Sequence, residues 1–167
     1  MDIIFNRRSV RKFTDKKIEA DKIERLIRAA MQAPSAANQQ PWEFMVIDEK
    51  ETLVKLADFS PYAKMLPGAA LGIIVLEKQG TRAPLFTEQD LDAATQNLLL
   101  QAAYEGLGAV WMGVGRGDAR ETFVTEMFSL PESVKPFAVI ALGYPAEENA
   151  NHFVDRYQAD RVHYNKY

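Results

Sequence analysis

The most regular pattern in the chain is an amphipathic one that predicts a helix from Thr87 to Glu105. Apolar residues recur at helical spacing within it, and Gly106 follows as the stop signal. Many residues of this stripe are small, which favours close packing against neighbouring elements. We therefore expect this helix at the centre of the molecule, with a buried stripe of Leu91, Ala94, Thr95, Leu98, Leu99 and Ala102.

Two further segments carry helix signals. Asp21 is a predicted N-cap with Glu24 at N3, and the helix it begins should run to about Gln32. Asp118 caps another predicted helix that ends near Phe128. A short helix is expected over residues 49–58.

Apolar runs predict strands between these helices, over residues 42–47, 69–76, 109–114 and 137–142. The 69–76 run is continuous, so we expect that strand to be covered on both faces. The chain has 167 residues and no internal repeat. These patterns predict one domain, residues 1–167, of α+β or mixed α/β class with about four strands.

The composition excludes several kinds of site. Because the chain has no cysteine, it has no disulfide, thiolate nucleophile or cysteine-based metal centre, and redox chemistry would need a bound cofactor. A net charge of -3 gives no reason to expect nucleic acid or an acidic membrane as partner. His152 and His163 are isolated, so no metal site is expected. The amino terminus lacks the pattern of a secretion signal, and we expect a cytoplasmic location.

A basic segment near the amino terminus predicts an anion site. It contains Arg7, Arg8, Ser9 and Arg11. Guanidinium groups stay charged and are fixed donors, and a hydroxyl with nearby N–H groups can complete a phosphate pocket. The alternative is a solvated surface, where arginines are common.

Residues 34–42 read Pro-Ser-Ala-Ala-Asn-Gln-Gln-Pro-Trp. Proline, serine and asparagine form turns, so a simple helix stop is one interpretation. The order is more specific than a turn requires, and such a loop can place small and amide groups along a flat ring.

The segment 149–167 is polar yet rich in aromatic residues, with Phe153, Tyr157, Tyr164 and Tyr167. A free tail is rarely so aromatic. We expect an arm that docks on a second copy of the chain.

These features together resemble the nitroreductase family. The resemblance is carried by the basic segment, by residues 34–42, by Gly-Leu-Gly-Ala-Val-Trp-Met-Gly at 106–113, and by the closing segments 141–148 and 155–165. It implies a homodimer with FMN at the interface. It also implies a nitroreductase-like fold: a central, mostly antiparallel sheet of about four strands, flanked by helices, with the 149–167 arm exchanged between subunits.

The resemblance also implies roles for individual residues. The basic segment and Arg156 would hold the flavin phosphate, with Arg161 as the alternative to Arg156. The 34–38 loop would reach the flavin from the partner subunit, and Lys64 would point at the pyrimidine ring, where a cation stabilises the anionic reduced flavin. Main-chain groups of residues 111–113 would lie along the ring. The expected cofactor-binding set is Arg7, Arg8, Ser9, Arg11, Pro34, Ser35, Ala36, Asn38, Lys64, Trp111, Met112, Gly113 and Arg156.

The implied activity is that of an FMN-dependent oxidoreductase working by a ping-pong mechanism. NAD(P)H would reduce the flavin at N5, and a nitroaromatic, a quinone or an activated alkene would then be reduced. No side chain is expected to act as a catalyst itself, because the flavin carries the chemistry. A non-catalytic flavin carrier or sensor, and family members with dehalogenating or flavin-degrading chemistry, stay as alternatives. The variable segment 79–86 has no assigned role, and the sequence does not choose between NADH and NADPH.

Overall fold

The structure, a computed structural model, describes residues 2–167. At its centre is an antiparallel sheet of four strands in the order β1-β2-β4-β3. The strands are β1 (Trp42–Ile47), β2 (Leu71–Lys78), β3 (Gly108–Gly113) and β4 (Val134–Gly143). The predicted strands and the α+β class are confirmed. The inner strands are β2 and β4, while β1 and β3 form the two edges.

One strand begins earlier than the sequence indicates. The prediction starts β4 at Phe137, whereas the strand runs from Val134. Opposite it, Val75 pairs with Ala138 but Leu76 pairs with Pro136, so Phe137 is an extra residue in the ladder. A bulge of this kind accommodates a proline, which has no N–H to donate to its neighbour.

Helices cover both faces of this sheet. Within the described residues they are α1 (Ile3–Asn6), α2 (Ala20–Met31), α3 (Lys50–Leu56), α4 (Thr87–Tyr104) and α5 (Ala119–Met127). All but the four-residue α1 are predicted by the sequence. The Asp118 cap is confirmed, since its carboxylate accepts hydrogen bonds from the N–H groups of Arg120 and Glu121.

The start of α2 differs from its prediction. The N-cap is Glu19, the helix begins at Ala20, and no side chain caps it. Asp21 therefore lies in the first turn, where its carboxylate accepts a 2.8 Å hydrogen bond from Arg25 one turn later. The residue types of a capping box are present, but Asp21 forms an ion pair along the face of the helix and does not cap its end.

Side chains of the inner strands alternate between two hydrophobic layers. Leu71, Ile73 and Val75 pack with α2 and α4 on one face, while Ile74 and Leu76 pack with α3 and α5 on the other. The central position predicted for α4 is confirmed, because this helix contacts α1, α2 and all four strands.

The amino-terminal segment, residues 9–14, runs along the end of the sheet. The Val10 N–H donates to the Ala109 carbonyl at 3.0 Å. Gly108 makes this approach possible, since a Cβ there would lie 2.6 Å from Cγ1 of Val10. Gly143 does the same for Phe13, at 2.8 Å from its Cβ. Two glycines therefore seat this segment against β3 and β4.

The carboxyl-terminal residues 152–167 are all exposed. Asn151 is the last half-buried residue, and its amide joins the N–H of Arg8 to the carbonyl of Leu107. Beyond it, large apolar side chains lie in solvent: Phe153, Val154, Tyr157, Val162, Tyr164 and Tyr167. No helix of residues 2–167 is both long and apolar enough to cross a membrane.

Candidate functional site

A cleft of about 480 Å³ opens beside the outer edge of β3. One wall is β3 itself, and the other is the turn region that follows α3. Cationic, hydroxyl-bearing and apolar side chains share the lining. The lining residues are Arg11, Ser60, Pro61, Tyr62, Lys64, Met65, Val110, Trp111, Met112, Gly113 and Arg120.

The outer edge of β3 offers to this cleft peptide groups that no neighbouring strand pairs. Successive residues of an edge strand point their N–H and C=O groups alternately to the neighbouring strand and away from it. The Ala109 carbonyl points away from β4, because Val10 donates to it, and the Val114 N–H points toward β4, where it donates to Phe137. The peptide groups of Trp111 and Gly113 therefore face the cleft.

The same alternation turns the main chain of Met112 toward β4, opposite Val139. This corrects the expectation of main-chain contacts from Met112. Its side chain is buried in the layer of α3 and α5 and forms part of the cleft wall.

Lys64 projects from a tight run of turns. The Ala63 N–H donates to Ser60, and the Leu66 N–H donates to Ala63. Ala63 and Leu66 are fully buried, so the turn is anchored on both sides of an exposed Lys64. Among residues 2–167, Lys64 forms no ion pair. A free ammonium group thus stands at the cleft.

The three arginines of the basic segment are not equivalent. Arg8 donates from Nη1 to the Arg7 carbonyl at 2.6 Å and from Nη2 to the Phe5 carbonyl at 2.7 Å, which ties it to the end of α1. Its Nε is buried without a partner among the described residues. Burial, with the nearby charges of Arg8 and Arg156, lowers the pKa of Arg7. Three like charges are thus gathered where an anion would be stabilised.

Ser9 and Arg11 lie between that cluster and the cleft. Ser9 forms an isolated parallel bridge with Ala109. Its carbonyl accepts a 3.3 Å hydrogen bond from Nη1 of Arg11, whose side chain is exposed and lines the cleft. The expected hydroxyl-and-guanidinium site is therefore continuous with the edge of β3.

The segment 34–40 lies elsewhere. It leads into β1, at the opposite edge of the sheet from β3, about 14 Å away for three strand spacings. Pro34, Ser35, Ala36 and Asn38 are therefore not brought to the cleft of their own chain. Their loop is strained, with φ values of 50° at Ala37, 52° at Asn38 and 46° at Gln40. Strain of this kind clusters at functional sites.

A buried carboxylate holds this loop in place. Asp90 of α4 is 5% exposed; it accepts a 2.9 Å hydrogen bond from the Ala36 N–H and a 2.6 Å one from Nε2 of Gln39. The Gln39 amide also bonds both main-chain groups of Ala83, in the segment 79–86. One side-chain amide thus joins the two loops.

Sequence reasoning missed Asp90, Tyr62 and Arg120. A signal was present for the first of these: Asp90 lies one turn before Ala94 on the apolar stripe of α4, where a charged residue needs a buried partner. Tyr62 and Arg120 lie on loop and helix surfaces with no distinguishing pattern. No group of three potential metal ligands occurs in the part of the chain that the structure describes.

Comparison with known proteins places this geometry in a family. The model of the nitroreductase family matches residues 4–61 and 60–144. A relative from Methanothermobacter thermautotrophicus, named "Putative NADH dehydrogenase/NAD(P)H nitroreductase", is 40% identical over 100% of this chain and 87% of its own.

Solved structures agree with that match. A structure from Clostridium acetobutylicum, described as "Putative NADH Oxidase", has a TM-score of 0.96 at 50% identity, covering 99% of this chain and 100% of that one. An FMN-dependent nitroreductase from Clostridium difficile has a TM-score of 0.89 at 26% identity, covering 99% and 98%. The nitroreductase-like fold is thus confirmed, and the chain belongs to the nitroreductase family.

Proposed function

We propose that this protein is an FMN-dependent NAD(P)H oxidoreductase that reduces a small electron acceptor. The observation that carries the proposal is the β3 cleft, where the peptide groups of Trp111 and the N–H of Gly113 lie beside Lys64 and Arg11, which form no ion pair within residues 2–167. Hydrogen-bonding groups on a rigid edge, with charge at one end, suit a flat polar ring. The similarity to the FMN-dependent nitroreductase from Clostridium difficile also supports the proposal.

The residues present fit FMN. Arg7 and Arg156 are the charged groups for its phosphate, and Ser9 is the exposed hydroxyl beside them. Arg8 can add its unpartnered Nε and the second N–H of each Nη, since one N–H of each Nη already bonds a main-chain carbonyl. The N–H groups of Trp111 and Gly113 would bond the ring edge.

Bound FMN would supply the redox chemistry, accepting a hydride from NAD(P)H and passing it to an acceptor. The chain's own part is binding and electrostatics. Lys64 would place a positive charge beside the ring and stabilise the negative charge gained on reduction. The described residues that line the cleft include no histidine, cysteine or carboxylate, so we propose no side chain as acid, base or nucleophile.

The proposal includes a homodimer with the site at the interface. The strained 34–40 loop lies at the far edge of the sheet, so only a second copy of the chain could bring Pro34, Ser35, Ala36 and Asn38 to this cleft. An apolar groove formed by α1, α2 and α4 offers a surface, with Ile4 71% and Tyr104 69% exposed. The aromatic 149–167 arm would exchange between subunits.

Sedimentation-velocity ultracentrifugation tests the dimer. We expect one species of twice the chain mass, and a fall toward the monomer mass when residues 152–167 are removed. A purely monomeric full-length protein would contradict the shared site. The cytoplasmic location expected from the sequence stays a prediction.

The activity is tested by an anaerobic absorbance spectrum of the FMN-loaded protein before and after addition of NADH or NADPH. Prompt bleaching of the bound flavin, and its return on addition of a nitroaromatic or a quinone, is the expected result. Flavin that binds but is reduced by neither donor would support the carrier or sensor alternative. A protein that binds no FMN would overturn the proposal. An iodinated tyrosine as acceptor tests dehalogenation.

A further inference from the structure

A second pocket, of about 540 Å³, lies between the strained 34–40 loop and the segment that follows β2. Among residues 2–167, those that line it supply two cations, four amides and a hydroxyl, and no carboxylate. The lining residues are Ala37, Asn38, Gln39, Gln40, Lys78, Gln79, Gly80, Thr81 and Arg82. A pocket that contains donors and positive charges without an acid is suited to an anion.

Its two cations are uncompensated. Lys78 and Arg82 are exposed, and neither forms an ion pair within residues 2–167. Other basic side chains of the surface, such as Lys12 and Arg28, are paired with glutamates. The Asp90 carboxylate bonds Gln39 but does not line the pocket.

The pocket is also held rigid by the main chain on both sides. The Lys78 N–H donates to Pro41 at 2.7 Å, and the Gln79 N–H donates to Ser133 at 2.8 Å. Gly80 then turns the chain with a φ of 78°, which favours glycine. A rigid pocket loses little entropy when a ligand binds.

One donor near this pocket has no partner. The Nε2 of Gln79 is buried and makes no hydrogen bond to any described residue. A buried amide without an acceptor costs about 1–3 kcal/mol. A ligand oxygen reaching this atom would remove that cost.

We propose that this pocket binds a phosphate group of the nicotinamide dinucleotide donor, with Lys78 and Arg82 as the charged contacts. The inference rests on the proposed function. Asn38 belongs both to this pocket and to the loop expected beside the flavin. A dinucleotide whose nicotinamide lies on the flavin extends well beyond the ring, so its phosphates need a cationic surface nearby. The phosphate is either the 2′-phosphate of NADPH or the pyrophosphate that NADH and NADPH share.

Steady-state kinetics of the FMN-loaded enzyme with each donor distinguish these two sources. The variants are Lys78→Gln, Arg82→Gln and the double variant, with Lys55→Gln as the control. Lys55 is an exposed lysine on α3 that lines none of these pockets. Because charge-assisted bonds are lost, we expect the KM of the relevant donor to rise at least about tenfold in the double variant, with kcat little changed.

A rise for NADPH alone assigns the 2′-phosphate, and an equal rise for both donors assigns the pyrophosphate. Unchanged KM values for both donors in the double variant would overturn the proposal. The control should match the parent enzyme throughout.

Calorimetric titration of the FMN-loaded protein with adenosine 2′,5′-bisphosphate gives a readout that does not depend on turnover. We expect binding that weakens at least about tenfold in the double variant and persists in Lys55→Gln. If neither donor reduces the flavin, the proposed function fails, yet weakened binding in the double variant still supports a phosphate pocket. If the parent and the double variant bind adenosine 2′,5′-bisphosphate equally, or if the parent does not bind it, the phosphate pocket is contradicted.

Discussion

The β3 cleft and the 34–40 loop are built by opposite means. The cleft is lined by a regular strand whose open edge is unstrained, and two of its cations, Lys64 and Arg11, are exposed and form no ion pair within residues 2–167. The loop holds three residues at positive φ and is fixed by one buried carboxylate. Of the two regions, only the β3 cleft follows from the ordinary geometry of a sheet.

The comparison shows how a binding site can separate stability from ligand contacts. Side chains such as Lys64 point into the cleft without supporting the fold, so they can change with little effect on folding. The loop has no such freedom, because its shape depends on Asp90, and Asp90 lies in the core. Substitutions in the two regions should therefore differ in what they change.

The largest expected effect comes from removing the carboxylate that fixes the loop. Asp90→Ala leaves the Ala36 N–H and one of the two N–H groups of the Gln39 amide without an acceptor. We expect the free energy of unfolding to fall by roughly 2–4 kcal/mol, since each unpaired buried donor costs about 1–3 kcal/mol. Urea denaturation measures this free energy of unfolding, and the flavin content of the purified variant should also fall.

Asp92→Ala is the matched control for that experiment. Asp92 is a largely exposed acid on the same helix, and partial desolvation of its carboxylate together with the charge of Glu88 raises its pKa. Its removal should leave the stability unchanged or slightly higher. Equal losses in the two variants would contradict the special role of the buried acid.

The frame of the cleft is tested by Gly108→Ala. The new Cβ would lie 2.6 Å from Val10, so the amino-terminal segment must move off the end of β3. We expect a loss of roughly 1–3 kcal/mol in the free energy of unfolding, as for other overpacked sites. Gly68→Ala, where nothing lies within 4 Å, should change it by less than about 0.5 kcal/mol. Similar values for both would show that the segment is not seated by this glycine.

A cleft side chain should affect the ligand and not the fold. For Lys64→Gln we expect the dissociation constant of FMN to rise about tenfold, or about 1.4 kcal/mol, with the stability of the apoprotein unchanged. Fluorescence titration of the apoprotein measures the first quantity, and urea denaturation the second. Lys55→Gln should alter neither. An unchanged FMN affinity in Lys64→Gln would remove this lysine from the site.

The smallest effect lies outside both regions, where Tyr144, the residue after β4, meets Glu19 at the start of α2. Hydrogen bonding from the Tyr144 hydroxyl and from its own backbone N–H lowers the pKa of Glu19 from 4.5 to about 2. A carboxylate whose pKa is lowered in the folded state stabilises the fold at pH values above its ordinary pKa. That stabilisation is lost as the pH falls from about 4.5 toward 2.

Glu19→Gln should therefore flatten the pH dependence of the urea midpoint between pH 2 and 4.5. Near neutrality, the slope of the midpoint against pH should be the same as in the parent. Glu126→Gln serves as the control, since the Glu126 side chain is exposed and unpaired within residues 2–167. A parent curve with no slope between pH 2 and 4.5 would refute the assignment.

The sequence predicted the regular elements well because their signals are local. The apolar stripe of α4, the continuous run of β2 and the Asp118 cap each depend on a few neighbouring residues. The errors have non-local causes. Asp21 bonds Arg25 and does not cap the helix. The start of β4 depends on a bulge opposite β2, and the direction of the Met112 peptide groups depends on the register between β3 and β4.

The candidate site was predictable in the same uneven way. Arg11, Lys64, Trp111 and Gly113 do meet in one cleft. The engagement of Arg8 with the end of α1 could not be read from the sequence, because the same arginine pattern serves either a phosphate or a helix end. The role of Asp90 becomes visible only once Ala36 and Gln39 are placed against it.

The short open stretch of β3 has a further consequence, for self-association. An exposed strand edge can pair with another chain and begin aggregation. Here the Val10 N–H occupies the start of the edge, and the Gly113 carbonyl accepts a 3.4 Å hydrogen bond from Arg120 at its end. What stays open spans about three residues, the lower limit for a strand. The open edge thus leaves room for the flat ligand that we propose and offers a second strand only the shortest possible ladder.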